Sequence, residues 1–325
     1  MVASVGSIAQ STTKNQKSWF TGGIASSDST YYYRAIYNIG SIEHGGGDIS
    51  VDFLWIGAGG GGGTSLLNAD YATGSGGGAG MVLQGVDLVV GREEYLYSPG
   101  AGGAAMTSGG PSYVFTAFRG KAGSYLSTNG YDLGGAGSGG GYGNRVGAGG
   151  SSLRGSGGGT GSNSAAGASG GLYGNAGGSG GSSGFGSSAG GGGAGAPGNS
   201  PGSNYNQGAN GGDGLTNTTI NEFALATGLI PSVFSSNYYV AGGGGGGSSN
   251  AISGNPSVSS GGKGGGGAGG AVTSGIEYAA QPATQYQGSG GGGAGSAVAT
   301  SANTLGGNGA RGMFIIRYLK SKAYS

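Results

Sequence analysis

Runs of consecutive glycine constrain this chain more than any other feature of its sequence. They lie at residues 59–63, 76–78, 139–141, 157–159, 190–193, 242–247, 264–267 and 290–293. An ordered glycine loses more backbone entropy on folding than any other residue, so these runs need contacts that only glycine allows. The sequence therefore predicts backbone segments that pack side by side at very short range.

A collagen-like fold does not account for the runs. Glycine supplies 91 of the 325 residues without a Gly-X-Y period, and only 7 residues are proline. The extended left-handed helix of the polyglycine II type also has three residues per turn, and its backbone must pair with neighbouring backbones because it has no internal hydrogen bonds. We therefore expect a bundle of such helices, with the residues between the runs forming turns at its ends.

The apolar residues are concentrated in short blocks, which argues against a disordered low-complexity chain. In residues 48–56, Ile49, Val51, Phe53 and Trp55 follow the two-residue period of a strand with one buried face. Further blocks rich in β-branched and aromatic residues lie at 31–39, 81–88, 93–97, 112–118, 237–240 and 312–319.

These blocks predict a mainly β fold: an antiparallel, jelly-roll-like β-sandwich with the polyglycine II bundle inserted over residues 57–311. Residues 1–30 are expected to form an N-terminal arm that could attach the chain to a larger structure, and residues 31–325 a single domain. Very little α-helix is expected. One helix is predicted where Thr219 and Glu222 fit a capping box and Gly228 can end the helix.

Charge and composition exclude several classes of function. The chain has 13 Lys and Arg and 12 Asp and Glu, and its basic residues are not clustered as nucleic-acid binding requires. No run approaches the ~18 apolar residues of a membrane helix, and the first residues lack the pattern of a secretory signal peptide. We therefore expect no nucleic-acid partner, no membrane insertion and no export signal.

No pattern in the sequence indicates catalysis. Gly-x-Ser-x-Gly occurs at 167–171 and 177–181, but neither match has a preceding strand or a following helix, and His44 is the only histidine. The many matches to G-x-G-x-x-G lack the helix and acidic residue of a nucleotide site, and no cluster of His, Cys or carboxylates suggests a metal. We expect no catalytic, cofactor-binding or metal-binding residues, and we do not expect an enzyme.

The order of the motifs resembles that of glycine-rich tail and tail-fibre proteins of bacteriophages. Residues 53–61 (FLWIGAGGG) resemble the strand and glycine run that open the family's glycine-rich region, and 81–97 resemble its next strand pair. Residues 239–244 (YVAGGG) resemble its later run, and 309–318 (GARGMFIIRY) its closing motif, the most specific part of a match that spans 48–319.

The resemblance implies a β-sandwich with a polyglycine-helix bundle, used for binding, as in adhesins at the tips of T-even-type long tail fibres. Similar modules occur in receptor kinases of the anaplastic-lymphoma type, but this chain has no cysteine. Residues 1–30 contain no recognised fibre-docking motif. The implied partners are other tail-fibre proteins and a bacterial surface glycan or outer-membrane protein. The implied location is the surface of a virion assembled in the host cytoplasm, with a homo-oligomer, by analogy a trimer, as the expected assembly.

Aromatic and amide residues between the glycine runs are the candidate receptor contacts, since tyrosine adds contact area at little entropic cost. They are Tyr131, Tyr142, Asn144, Tyr173, Asn175, Phe185, Tyr205, Asn206, Tyr278 and Tyr286. Each could instead plug the end of the bundle or pack on another subunit. Two other functions stay open: a virion structural protein without a recognition role, such as a fibre shaft, collar or capsid decoration, and, more remotely, an ice-binding protein.

Overall fold

The computed structural model describes fifteen stretches of the chain. They are residues 19–38, 40–65, 73–90, 94–98, 100–107, 109, 113–116, 155–160, 167–171, 173–181, 186–202, 207–249, 258–273, 276–295 and 304–323.

Strands make up most of the regular structure of these residues. They are β1 (Trp19–Thr21), β2 (Ile24–Ser27), β3 (Tyr31–Ile36), β4 (Gly40–Gly45), β5 (Ile49–Ile56), β6 (Val82–Val90), β7 (Glu94–Ser98), β8 (Tyr113–Thr116), β9 (Val233–Phe234), β10 (Asn237–Tyr238), β11 (Ala271–Thr273), β12 (Ile276–Tyr278) and β13 (Met313–Leu319). The helix α1 spans Thr218–Thr227, and a single turn of 3-10 helix follows at Lys320–Lys322. The predicted mainly β fold with little helix is confirmed.

The larger sheet has five strands in the order β2-β3-β13-β5-β6, and all its pairs are antiparallel. Strand β13, near the end of the chain, lies in the middle, where Arg317 is opposite Tyr33 on one side and Asp52 on the other. Its residues are buried from Met313 to Tyr318. A strand covered on both faces shows a nearly continuous apolar sequence, which explains the run from Met313 to Ile316.

A second antiparallel sheet has the order β1-β4-β7-β8, and it shares a core with one face of the larger sheet. Phe20 of β1 and Ile42 of β4 belong to the same buried cluster as Phe53, Trp55 and other residues of the larger sheet. The ring of Phe20 lies 4.4 Å from that of Tyr318. The two sheets thus bury apolar side chains between them, and the jelly-roll-like topology stays a prediction.

Strand β4 is one of several strands that the sequence did not reveal. Its residues, GSIEHG, include one apolar side chain of strand type, Ile42, which is buried together with His44. The strand forms because it hydrogen-bonds β1 on one side and β7 on the other, so pairing compensates for weak strand propensity.

The predicted N-terminal arm overlaps both sheets. Residues 1–18 lie outside the described residues, while β1 pairs with β4 and β2 pairs with β3. Residues 19–27 of the predicted arm are therefore structural parts of the two sheets.

Helix α1 covers the other face of the larger sheet. Phe223 and Ile220 are fully buried there, and the ring of Phe223 lies 5.8 Å from that of Tyr33. The helix ends at Gly228 in the left-handed conformation (φ 67°), as predicted. The predicted capping box at Thr219 and Glu222 is wrong.

The N-cap is Asn217, whose Oδ1 accepts a hydrogen bond from the Ile220 backbone N–H at 2.9 Å. Asn217 is a strong N-cap residue two positions earlier in the chain than Thr219. Glu222 is engaged elsewhere, because its carboxylate accepts a hydrogen bond from Arg317. That ion pair ties the helix to the central strand.

The glycine runs hydrogen-bond one another with a period of three residues. In residues 242–247 the first and fourth N–H groups donate to segment 264–267, the second and fifth to 209–212, and the third and sixth to 74–77. Segment 242–247 therefore pairs with three neighbours in turn. This is the period required by a helix with three residues per turn, and the polyglycine II conformation itself stays a prediction.

We call the described segments 57–63, 73–80, 188–193, 207–214, 241–249, 258–270 and 287–295 the glycine array. Backbone hydrogen bonds of 2.7–3.3 Å join each of these segments to others of the set. Added side chains would meet backbone atoms: a Cβ built on Gly62 or Gly244 would lie 1.9 Å from a carbonyl oxygen of a neighbouring segment. The array is thus held at a spacing that excludes even alanine at such positions.

Tyr33 should make the protein sensitive to alkali. Its hydroxyl donates to Asp28 Oδ2 at 2.5 Å, and burial, followed by this hydrogen bond, raises the pKa of Tyr33 above its ordinary value near 10. A raised pKa contributes stability that is complete below pH 10 and is lost as the pH rises further, because the unfolded chain then releases a proton that the folded chain retains. Between about pH 9 and 11 the wild type should lose about 1.4 kcal/mol more unfolding free energy than Tyr33→Phe.

Urea unfolding at the two pH values measures this difference. Tyr318, whose pKa burial also raises, is present in both proteins, so the difference isolates Tyr33. Equal losses of unfolding free energy in the two proteins would show that the Tyr33 proton does not contribute to the pH dependence of stability.

Candidate functional site

Six of the predicted receptor contacts lie outside the described residues. They are Tyr131, Tyr142, Asn144, Phe185, Tyr205 and Asn206. In the sequence, Tyr205 and Asn206 fall between Gly202 and Gln207, two residues that line a cavity of about 390 Å³.

The other four predicted contacts do not meet at one place. Tyr173 is 41% exposed at the rim of a cavity of about 300 Å³ that Asn175 also lines. Asn175 Nδ2 donates to the Gly193 carbonyl at 2.8 Å, so this side chain hydrogen-bonds the backbone of the glycine array. Tyr278 is half exposed on β12. Tyr286 is partly buried, and its ring lies 4.4 Å from that of Tyr37.

A groove on the glycine array gathers more polar side chains than any of these positions. Two adjoining cavities of about 390 and 360 Å³ share Asn199, Asn210 and Ser260. The first also has Gln207 and Val258 in its wall, and the second has Asp213, Phe234 and Lys263. We call these two cavities together the amide groove.

Backbone pairing fixes the walls of the amide groove. The Asn199 N–H donates to the Asn210 carbonyl at 3.0 Å, and the Gly211 N–H donates to the Ser260 carbonyl at 3.0 Å. Asn210 Oδ1 in turn accepts from the Ser260 N–H at 2.9 Å. Three stretches of the chain, around Asn199, Asn210 and Ser260, are thereby held in a fixed order. Their side chains project from backbone segments that hydrogen bonds already hold together.

An ion pair closes one end of the groove. Lys263 Nζ lies 2.9 Å from Asp213 Oδ2, and the Lys263 backbone N–H donates to Asp213 Oδ1 at 3.0 Å. The hydrogen bond to Asp213 raises the pKa of Lys263 above its usual range. The ammonium also lies 4.6 Å from the ring centroid of Phe234 and 5.5 Å from that of Tyr239. Lysine and aspartate neutralise one another here.

Phe234 reaches the groove from a strained hairpin. Strands β9 and β10 are joined by Ser235 and Ser236, with φ of 49° and 67°. Two successive residues with positive φ are typical of a type I′ turn, for which Asn-Gly is preferred. Serine in this conformation is unfavourable by about 1–2 kcal/mol per residue, and such strain is common at functional sites. The turn leaves Val233 and Phe234 each 53% exposed.

The groove offers groups that can bind a ligand. Carboxamides, hydroxyls, one carboxylate, one ammonium and one aromatic ring line it. Among the described residues no group of three or more His, Cys, Asp or Glu side chains could hold a metal ion. Within the same part of the chain, no helix is long and apolar enough to cross a membrane.

Sequence reasoning did not single out any residue of the amide groove. Asn199, Asn210 and Asp213 each lie next to a glycine, as many polar residues of this chain do, and Phe234 and Lys263 belong to other parts of the sequence. Only the register of the glycine array brings them together.

A comparison of the chain with protein-family models and with curated proteins finds no match.

Proposed function

We propose that this chain is a bacteriophage tail-fibre or adhesin subunit that binds a receptor on the bacterial surface, and that it acts by binding without catalysis. The amide groove carries the proposal, because it places side chains suited to recognition on a rigid backbone frame. The motif order that resembles glycine-rich phage tail proteins adds support.

Rigidity is what links the glycine array to binding. A receptor site that is already ordered pays less conformational entropy when its ligand arrives. In the amide groove, hydrogen bonds of 2.9–3.0 Å join the stretches around Asn199, Asn210 and Ser260, so the positions of Asn199 and Asn210 are set before binding. A dense glycine frame with polar side chains at its surface fits an exposed adhesin.

The proposal includes the setting of the protein. Other tail-fibre proteins are its structural partners, a surface glycan or an outer-membrane protein of the host is its receptor, and a homo-oligomer, most simply a trimer, is its assembly. The virion surface is its location, after assembly in the host cytoplasm. Nucleic acid and the membrane interior are not among its partners.

Antibody labelling of the parent virus tests this function. Gold-labelled antibodies raised against the purified chain should mark the distal ends of tail fibres in electron micrographs. Monovalent Fab fragments of the same antibodies should slow virus adsorption to host cells at least about tenfold, since they cover the binding surface.

Fab fragments against a capsid protein are the control and should leave adsorption unchanged. Label on a fibre shaft, a collar or the capsid, with normal adsorption, would contradict the adhesin and favour a structural virion protein.

A further inference from the structure

We propose that the amide groove binds a neutral glycan chain on the bacterial surface. This inference rests on the proposed adhesin function and specifies its receptor. It follows from the shape of the groove, its hydrogen-bonding groups, its charge and its aromatic ring.

The shape of the groove fits a chain of linked units. Its two cavities, about 390 and 360 Å³, adjoin along Asn199, Asn210 and Ser260. Each is within the size range of small-molecule sites, and together they extend from Gln207 and Val258 to Phe234 and Lys263. A ligand that fills both cavities is longer than a single sugar.

The polar groups of the groove match sugar hydroxyls. A hydroxyl both donates and accepts, and a carboxamide presents one acceptor oxygen beside two donor hydrogens. The side chains of Asn199 and Gln207 make no hydrogen bond within the described part of the protein, and both are exposed. Asn210 uses its Oδ1 for Ser260, which leaves its Nδ2 hydrogens to donate to a ligand's oxygen. These three carboxamides can therefore pair with a series of hydroxyls.

The charge of the groove selects a neutral ligand. Asp213 and Lys263 are the only charged side chains in the described walls of the two cavities, and they are paired at 2.9 Å. An acidic polysaccharide or a nucleic acid would require basic side chains that are not committed to an internal carboxylate. A strongly basic ligand would require excess carboxylates. Neither condition is met here.

Phe234 supplies a surface for the apolar side of a sugar. The faces of an aromatic ring carry negative potential, and the C–H groups of a pyranose ring carry small positive charges, so the two pack together. Lys263 Nζ lies over the Phe234 ring, 4.6 Å from its centroid, and about half of the residue is exposed to solvent. The fixed ammonium holds the ring in place at the end of the groove.

The test uses fluorescently tagged full-length protein and cells of a strain that it labels. Mild periodate, which cleaves the vicinal diols of glycans, should abolish labelling, and surface proteolysis of the cells should not. Asn199→Ala and Phe234→Ala should each weaken binding about tenfold, as the loss of a pair of hydrogen bonds or a stacking contact does. The apparent Kd should change less than about twofold between about 50 and 500 mM NaCl, since no charge is neutralised.

Matched controls lie outside the amide groove. Asn308→Ala removes another exposed carboxamide, and Ile276→Ala another exposed apolar side chain on a short hairpin strand. Both should bind cells as the wild type does, and equal melting temperatures of all four variants would show that the fold is intact.

Several results would overturn the inference. Labelling that survives periodate and disappears on proteolysis identifies a protein receptor, so the neutral-glycan inference fails while the adhesin function stands. Periodate-sensitive binding that both groove variants retain places the glycan elsewhere on the chain. A steep loss of affinity with salt identifies a charged ligand. A chain that labels no strain defeats the adhesin function and this inference with it.

Discussion

Replacing Gly244 with alanine should lower the free energy of unfolding by about 3 kcal/mol or more. A Cβ at this position would lie 1.9 Å from the carbonyl oxygen of Gly291, far inside van der Waals contact. That carbonyl cannot turn away without losing its hydrogen bond from the Gly77 N–H at 2.9 Å. Gly244 itself donates to the Gly77 carbonyl at 2.9 Å, so the clash spreads to two neighbouring segments. Such overpacking forces backbone shifts of this energetic size.

Calorimetry of the purified variants measures the effect as a melting temperature lower by roughly 6 °C or more. Gly202→Ala is the matched control, because no atom lies within 4 Å of the Cβ that it would add. It should be neutral or raise stability by up to about 1 kcal/mol through the unfolded chain. Equal stability of the two variants would contradict the close-packed glycine array.

Arg317→Ala should destabilise the protein by about 3 kcal/mol. The Arg317 side chain is 10% exposed on the central strand β13, and its Nε donates to Asp52 Oδ2 at 2.8 Å. A second nitrogen donates to Glu222 of helix α1, and the guanidinium lies 4.6 Å from the centroid of Tyr31 and 5.3 Å from that of Phe223. Removing one partner leaves the Asp52 carboxylate in a largely buried place without its counter-charge, which costs about 3–5 kcal/mol in comparable pairs. We expect the lower end of this energy range for Arg317→Ala because Glu222, the second carboxylate partner of Arg317, is nearly half exposed.

Urea unfolding compares this variant with Arg311→Ala. Arg311 also donates from Nη1 to a side-chain oxygen, that of Asn38, at 2.9 Å, but this contact is exposed. Its removal should change the unfolding free energy by less than about 0.5 kcal/mol. A cost below about 1 kcal/mol for Arg317→Ala would show that the ion pairs do not hold α1 on the sheet.

The strands were predictable where side chains carry the pattern. Ile49 to Trp55 alternate as a half-buried strand does, and the apolar run of β13 indicates burial on both faces. Gly228 marked the end of α1 because its left-handed conformation favours glycine. The start of α1 was misplaced because Glu222, which fits a local capping pattern, binds the distant Arg317 instead.

The amide groove was not predictable, for a reason that lies in the glycine runs. Pairing register is set by side chains, and glycine-rich segments specify it weakly in their local sequence. Many pairing registers of the glycine-rich segments have nearly the same local sequence. Asn199, Asn210 and Ser260 become neighbours only because the hydrogen bonds of the folded chain select one of these registers. The three-residue period and the close packing could be anticipated, whereas the face on which polar residues meet could not.

Cell binding by the isolated protein is the most direct test of the central claim, that this chain recognises a bacterial surface. Fluorescently tagged protein is added in increasing concentration to a panel of bacterial strains, and labelled cells are counted with and without unlabelled parent virus. The account predicts saturable labelling of a narrow group of strains, displaced by the virus because both occupy the same receptor. Absence of labelling on every strain, together with incorporation of the protein into purified virions, would contradict it and assign the chain a structural role alone.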